Sequence, residues 1–489
     1  MRRLRQLAER TPADRERYVD LLRATAITMV VLGHWTIIVI GHDAAGRPTA
    51  HSALPELTWA YPLTWLVQVM PIFFIVGGYA NAASLAARRR RGGNATDWLL
   101  DRSGRLVRPT TLLVLVLTGG ALVARLAGAD PSWVRTVVWF ATVPLWFLAA
   151  YLLVVPLTSL TYALHERFGL AVPVALAALV ALGDLGRATG PADLALGNYL
   201  FGWLAVHQLG YAWYDARQGV DRPLRRLTPS PRTGWPLLAG GLVVLVLLTT
   251  VGPYPVSMIN IPGERMDNAA PPSLALLVLS IAQLGLVMLL RDPAERWLRR
   301  SRPWQAVIAV NAVVLTVFLW HVSAAILLVG GLDAVGLLPT SPVGSAAWLA
   351  WRVPWLLMLL VVLAALVAVF GRVEVRAGRR RGPAAPGREA EALRADRRGP
   401  PAPAGRRPDG GSRWPTRLRG AQWRDRLPGA RWPTRLRGAL AVAGFAALAF
   451  ALLINAVTPK NAPEWLGLPV PALVAYLAGA ALLRLLRSR

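Results

Sequence analysis

The sequence predicts an all-α fold, a polytopic integral membrane helix bundle with a ten-span core and a C-terminal two-helix hairpin. Three observations carry this expectation. Apolar runs that reach the roughly 20 residues needed to cross a bilayer recur along the chain, and 55% of its 489 residues are hydrophobic. The net charge of +28 is almost wholly arginine, and the arginines cluster in alternate connecting segments. That is the positive-inside pattern of an inner (cytoplasmic) membrane protein, and it makes membrane lipid rather than nucleic acid the expected partner. There is no cysteine, so disulfides and thiolate metal sites are excluded.

The elements follow in order. Residues 1–20 are basic and run into a full-length apolar stretch with no small-residue cleavage site, which reads as a cytoplasmic N-terminal tail. Residues 21–370 form the membrane domain. Its spans are expected at about 21–40, 59–86, 109–128, 137–163, 169–186, 194–215, 235–252, 272–290, 304–330 and 347–370. Each segment placed inside, such as RRRRGG at 88–93, is richer in arginine than its outside neighbours. Residues 371–437 change composition abruptly: 372–437 hold 19 arginines against six carboxylates, with many prolines and glycines. Such a segment cannot bury enough apolar surface to offset its ordering entropy, so it reads as a disordered cytoplasmic linker. Within it RWPTRLRGA occurs at 413–421 and again at 431–439. Residues 438–489 hold two more apolar runs, about 438–456 and 467–485, which close the chain as a transmembrane hairpin.

The first span holds the first candidates for chemistry. In LLRATAITMVVLGHW, Arg23 and His34 are eleven positions apart. At about 100° per residue this is close to three whole turns, so the two side chains share a helix face about 16 Å apart. Ionisable groups inside a membrane are costly and commonly face a protein interior or a watery cavity. Two readings are open: Arg23 and His34 are parts of one reaction path, or Arg23 snorkels to the headgroups while His34 bonds a neighbouring helix. Asp20, three residues before Arg23, is placed to orient its guanidinium. His321 in the ninth span is a second intramembrane ionisable group, facing either the same cavity or a neighbouring helix; His207 in the sixth has only its depth to mark it. Asn260, Glu264, Asp267 and Asn268 lie in an outside loop where a polar acceptor could be met. The six histidines are scattered without metal-binding spacing, and no nucleotide-binding glycine motif is present.

The string YVDLLRATAITMVVLGHW resembles the opening of the membrane-bound acyltransferase 3 family, which has an Arg, ten residues, then a His in its first span. Three further stretches match in order. PIFFIVGGY at 71–79 resembles the family's Phe-Phe-x-x-Ser-Gly segment, DRSGRLVRP at 101–109 its Arg-x-x-Arg segment, and PLWFLAAYL at 144–152 its Leu-Trp-Phe-Leu segment. The resemblance covers about 17 to 370 and leaves the linker and last hairpin outside.

The resemblance implies an O-acyltransferase that moves an acyl group from cytoplasmic acyl-CoA, a co-substrate and not a resident cofactor, to a hydroxyl on a glycan, lipid or small molecule. His34 carries over as the catalytic histidine with Arg23 as its partner, and Arg102 and Arg105 as part of the donor site, with plain positive-inside topology the alternative for those two arginines. Phe73, Phe74, Gly78 and Trp146 match motif positions and are candidate substrate contacts, with helix packing the alternative for each. Chemistry agrees: a hydroxyl is a poor nucleophile at neutral pH and imidazole is suited to remove its proton, while arginine's planar fork suits the phosphates of coenzyme A. One position departs from the family, since Gly77 stands where it has Ser. The competing class is a multi-span transporter or flippase of a polar solute or lipid-linked glycan. Against it, no paired half-chains with matching broken helices are visible, and the intramembrane polar groups concentrate in the first span. Oligomeric state, acceptor and acyl chain length are not written in these residues.

Overall fold

The computed structural model describes residues 2–9, 11–12, 15–43, 46–190, 192–339, 341–379 and 433–488. Its helices are α1 (Arg2–Glu9), α2 (Arg17–Ile37), α3 (Thr64–Val67), α4 (Met70–Arg90), α5 (Ala95–Leu126), α6 (Pro131–Thr142), α7 (Leu145–Phe168) and α8 (Ala171–Thr189). They continue as α9 (Asn198–Arg217), α10 (Pro231–Thr250), α11 (Leu274–Leu298), α12 (Ser301–Asn311), α13 (Val314–Ala334), α14 (Ala346–Arg379), α15 (Thr434–Val457) and α16 (Val470–Ser488). The molecule is thus an all-α polytopic bundle. Among the described residues the one sheet is a hairpin of β1 (Ile38–His42) and β2 (Pro48–Ser52), antiparallel, with Ile38 opposite Ser52 and His42 opposite Pro48.

Every expected span falls on a helix, and ten of the described helices are long and apolar enough to cross a membrane. The expected first and sixth spans, α2 and α9, are as long but are not among those ten. The reason is their polar content: α2 carries Asp20, Arg23 and His34, of which Asp20 is buried and the other two half-buried, and α9 carries Asn198, His207 and Gln208, all fully buried inside the bundle. α9 crosses α4 with backbones in contact: a Cβ on Gly78 would stand 2.0 Å from the His207 carbonyl oxygen, and one on Gly210 2.1 Å from that of Ile75. Only glycine permits so close an approach.

Boundaries differ from the sequence expectation at several spans; the eighth runs on to Leu298 and the tenth to Arg379, so that residues 371–379, expected as disordered linker, are helix. The second span begins with the one-turn α3 at Thr64 rather than at 59, and is interrupted before α4, where Gln68 leaves helical geometry and its side chain donates to the Met258 carbonyl at 2.6 Å. The third begins at Ala95 rather than 109: Asn94 caps the helix by accepting from Asp97 N at 2.8 Å, so the basic DRSGRLVRP segment is its early turns. The fourth is divided into α6 and α7 around Pro144. The ninth is divided between α12 and α13, where the Glu374 carboxylate accepts from the backbone of Leu315 and Thr316 at 3.1 and 2.8 Å and so caps the new N-terminus.

Most of the expected linker, 380–432, and the first repeat copy lie outside the described residues. Of the second copy, Thr434–Arg437 form the first turn of α15, and Arg437 bonds Asp97 at 2.7 Å and the Leu486 carbonyl at 3.0 Å. α15 and α16 pack on each other and against α5 and α7. Arg135 of α6 secures the turn between them. It is wholly buried and donates to Asn455 Oδ1 at 2.6 Å and to the carbonyls of Asn455, Thr458 and Gly467 at 2.8, 2.9 and 3.1 Å.

Candidate active site

Two polar groups with an aromatic wall between them make up the site. The first group is a histidine pair. His34, in the last turn of α2, places Nδ1 2.8 Å from Nε2 of His321 on α13, the rings stacked at 5.1 Å and 11° from parallel. His321 Nδ1 lies 2.6 Å from the Phe318 carbonyl, and the His321 carbonyl accepts from Trp35 Nε1 at 2.9 Å. A carbonyl only accepts, so His321 Nδ1 carries a proton, and with neutral rings its Nε2 is a bare acceptor. His34 Nδ1–H therefore donates to it, and His34 Nε2 is left with its lone pair. His321 is fully buried, whereas His34 is only partly so. The free nitrogen belongs to the accessible ring.

The second group is built from arginines near the arginine-rich face. Arg102 donates through Nε at 2.6 Å, and through Nη2, to the single Oδ1 of Asn81. Asn81 is itself fully buried and donates through Nδ2 to His207 Nε2 at 3.0 Å. The Arg102 guanidinium also lies over the Trp98 ring, 5.1 Å from its centroid. Arg23 and Arg105 are near enough for their charges to act on Arg102. Arg23 is tethered by Asp20, 3.5 Å away, which also holds Arg15 at 2.8 Å. Three guanidiniums held against mutual repulsion suit a polyanion.

Between the groups runs a line of rings. Tyr151 is edge-on to Phe73 at 6.0 Å, Phe73 to Phe147 at 4.6 Å and Phe147 to Phe318 at 5.6 Å, while Phe318 lies 6.0 Å from His321. Phe73, Trp146 and Tyr151 keep partial exposure and line this wall. Phe74 is fully buried and stacked on Trp203 at 4.4 Å, and Gly78 is buried against α9. Packing accounts for these two.

The structure thus brings His34 to His321, and Arg23 to Arg102 and Arg105. Arg23 shares a helix with His34 but stands with the arginines. Of the outside loop, Asn268 is buried and turned inward, donating to the carbonyls of Pro255 and Ser257 at 2.9 Å each; it clamps the loop instead of facing outward. Sequence reasoning missed Asn81, Tyr151, Phe147 and Phe318. Asn81 had a signal, being an amide within an apolar span. Tyr151 explains the departure at position 77: a Cβ on Gly77 would lie 3.2 Å from the Tyr151 ring and 3.7 Å from its hydroxyl, so the tyrosine fills the room a serine would need.

The family model for an acyltransferase domain, of the acyltransferase 3 type, matches residues 16–371. The chain belongs to the acyltransferase 3 family. No curated protein and no solved structure matches it. The matched region holds both polar groups and the aromatic wall, and ends before the docked hairpin of α15 and α16. Family and helices together make this acyltransferase 3 protein a multi-pass membrane acyltransferase.

Proposed function

We propose that the protein transfers an acyl group from a cytoplasmic acyl-CoA to a hydroxyl of a carbohydrate, lipid-linked or small-molecule acceptor, with His34 as general base. One observation carries this reading: the order Phe318 carbonyl, His321, His34, which leaves His34 Nε2 bare. The acceptor hydroxyl gives its proton to that nitrogen as its oxygen attacks the thioester carbonyl. The coenzyme A thiolate then leaves and takes the proton from His34, restoring the pair. His321 touches no reacting atom; it fixes the tautomer and ring angle of His34.

Arg23, Arg102 and Arg105 hold the phosphates of the donor at the arginine-rich face, which positive-inside topology makes cytoplasmic. The pantetheine arm runs along Tyr151, Phe73 and Trp146 towards the histidines. The Tyr151 hydroxyl stands in for the serine missing at position 77. The reading is tested in sealed right-side-out vesicles from the inner membrane. An external, impermeant acceptor should be modified only when acyl-CoA is loaded inside; modification by external donor alone, with intact vesicles, would contradict it.

A further inference from the structure

On the arginine-poor face, a cleft opens between β1, which continues directly from α2, and the first turns of α14. Its walls include Ile38, Ser341, Trp348, Trp351, Arg352 and Trp355. Two contacts fix its shape: Arg352 Nη1 donates to the Ile38 carbonyl at 3.0 Å, and Trp355 Nε1 to the Trp35 carbonyl at 3.0 Å. The Arg352 guanidinium also lies over the Trp348 ring, 4.0 Å from its centroid. The cleft therefore begins just four residues beyond His34.

Three buried N–H groups here have no acceptor: the indoles of Trp348 and Trp351 and Nε of Arg352. Trp348 itself is only 7% exposed. Positions 348, 351 and 352 follow the spacing of one helix face, so all three donors belong to the same wall. Buried N–H groups normally find partners, and three orphans around one cleft call for an explanation. The set has only donors among its buried orphans, one of them cationic, and no carboxylate lines the cleft. It matches an oxygen-rich anion. Tryptophan and arginine at a helix end also mark headgroup depth in a bilayer.

We infer that this cleft binds the phosphate of a lipid headgroup. The two indole N–H groups and Arg352 Nε bond its oxygens, and the acyl chains remain in the bilayer beside α14. On the acyl-transfer reading, the same seat would hold the anchor of a lipid-borne acceptor near His34; binding itself does not depend on that reading.

Native mass spectrometry of the full chain tests the inference, with phosphatidylglycerol or the phosphate-free lipid diacylglycerol added to detergent-solubilised protein. Wild type should retain one phosphatidylglycerol more tightly than Trp351→Phe, which keeps the ring and removes only the N–H, and than Arg352→Gln. Each variant should weaken retention by about tenfold, the effect of one hydrogen bond to a charged group. Exchange of the exposed Arg90 for Gln should change nothing. Equal retention in all four proteins, or equal retention of diacylglycerol, would overturn the proposal. Displacement of the lipid by millimolar inorganic phosphate would place a free phosphate there and overturn the lipid assignment.

Discussion

His34 and His321 are joined by a 2.8 Å hydrogen bond between rings 11° from parallel, and the far nitrogen of His321 is 2.6 Å from the Phe318 carbonyl. The carbonyl sets the proton on one ring, and that ring sets it on the next. Replacing His321 by Ala should lower kcat about tenfold or more, short of the 10²–10⁴-fold of losing a base outright. KM for the donor should hold, since His321 is far along the aromatic line from the arginines. A His321→Ala enzyme with unchanged kcat would remove the relay from the account.

Asn81 should matter to donor affinity although it is buried. It accepts both arms of Arg102, so Asn81→Leu frees the guanidinium and should raise KM for acyl-CoA. Arg102→Lys should rescue little, because a point charge lacks the fork. Arg90 and Arg91, exposed on the same face, provide the comparison. An equal rise in KM from Arg90→Gln would mean that bulk charge holds the donor.

Tyr151 and Gly77 should be coupled. Tyr151→Phe is expected to lower the rate, and Gly77→Ser alone to crowd the Tyr151 ring. Their combination should recover part of the activity, since the serine regains a hydroxyl near the position the phenol vacates. Rates are compared over the double-mutant cycle; strict additivity would argue against the exchange.

Arg135 ties the terminal hairpin to the core. Arg135→Met strips the carbonyls of Asn455, Thr458 and Gly467 of their shared donor, at about 3 kcal/mol or more. The melting temperature in detergent should fall by several degrees, and Lys should not restore it, being unable to reach divergent acceptors. An unchanged melting temperature would show that apolar packing alone docks the hairpin.

Asp267 provides a pH test outside the membrane spans. Burial pushes its carboxyl up to about 6, against hydrogen bonding from the Ala269 backbone and the charge of Arg187. In the unfolded chain it titrates near 3.9. The folded state therefore binds the proton more tightly, and this contribution is present below about pH 4 and lost as pH rises through 6. Asp267→Asn should flatten the fall in melting temperature between pH 4 and 7. Parallel profiles for variant and wild type would contradict the assignment.

The bundle was legible because apolar length and arginine placement are local properties of a sequence. Arg23, His34, Arg102 and Arg105 were legible through motif spacing. The pairing of His34 with His321 was not, because 287 residues separate them and only tertiary packing brings α2 to α13. The same holds for Asn81 and His207. The breaks at Gln68 and before Val314 were hidden for a related reason: distant groups, Met258 and Glu374, stabilise backbone that hydropathy alone would continue as helix.

The most direct test of the account is product analysis with purified wild type and His34→Ala. Each is incubated with acyl-CoA and a panel of hydroxyl acceptors, and acylated product and free coenzyme A are measured by mass spectrometry. The account predicts acyl transfer by wild type and a loss of about 10²–10⁴-fold in the variant, with equal expression and melting temperature. Near-normal transfer by a folded His34→Ala protein would contradict it.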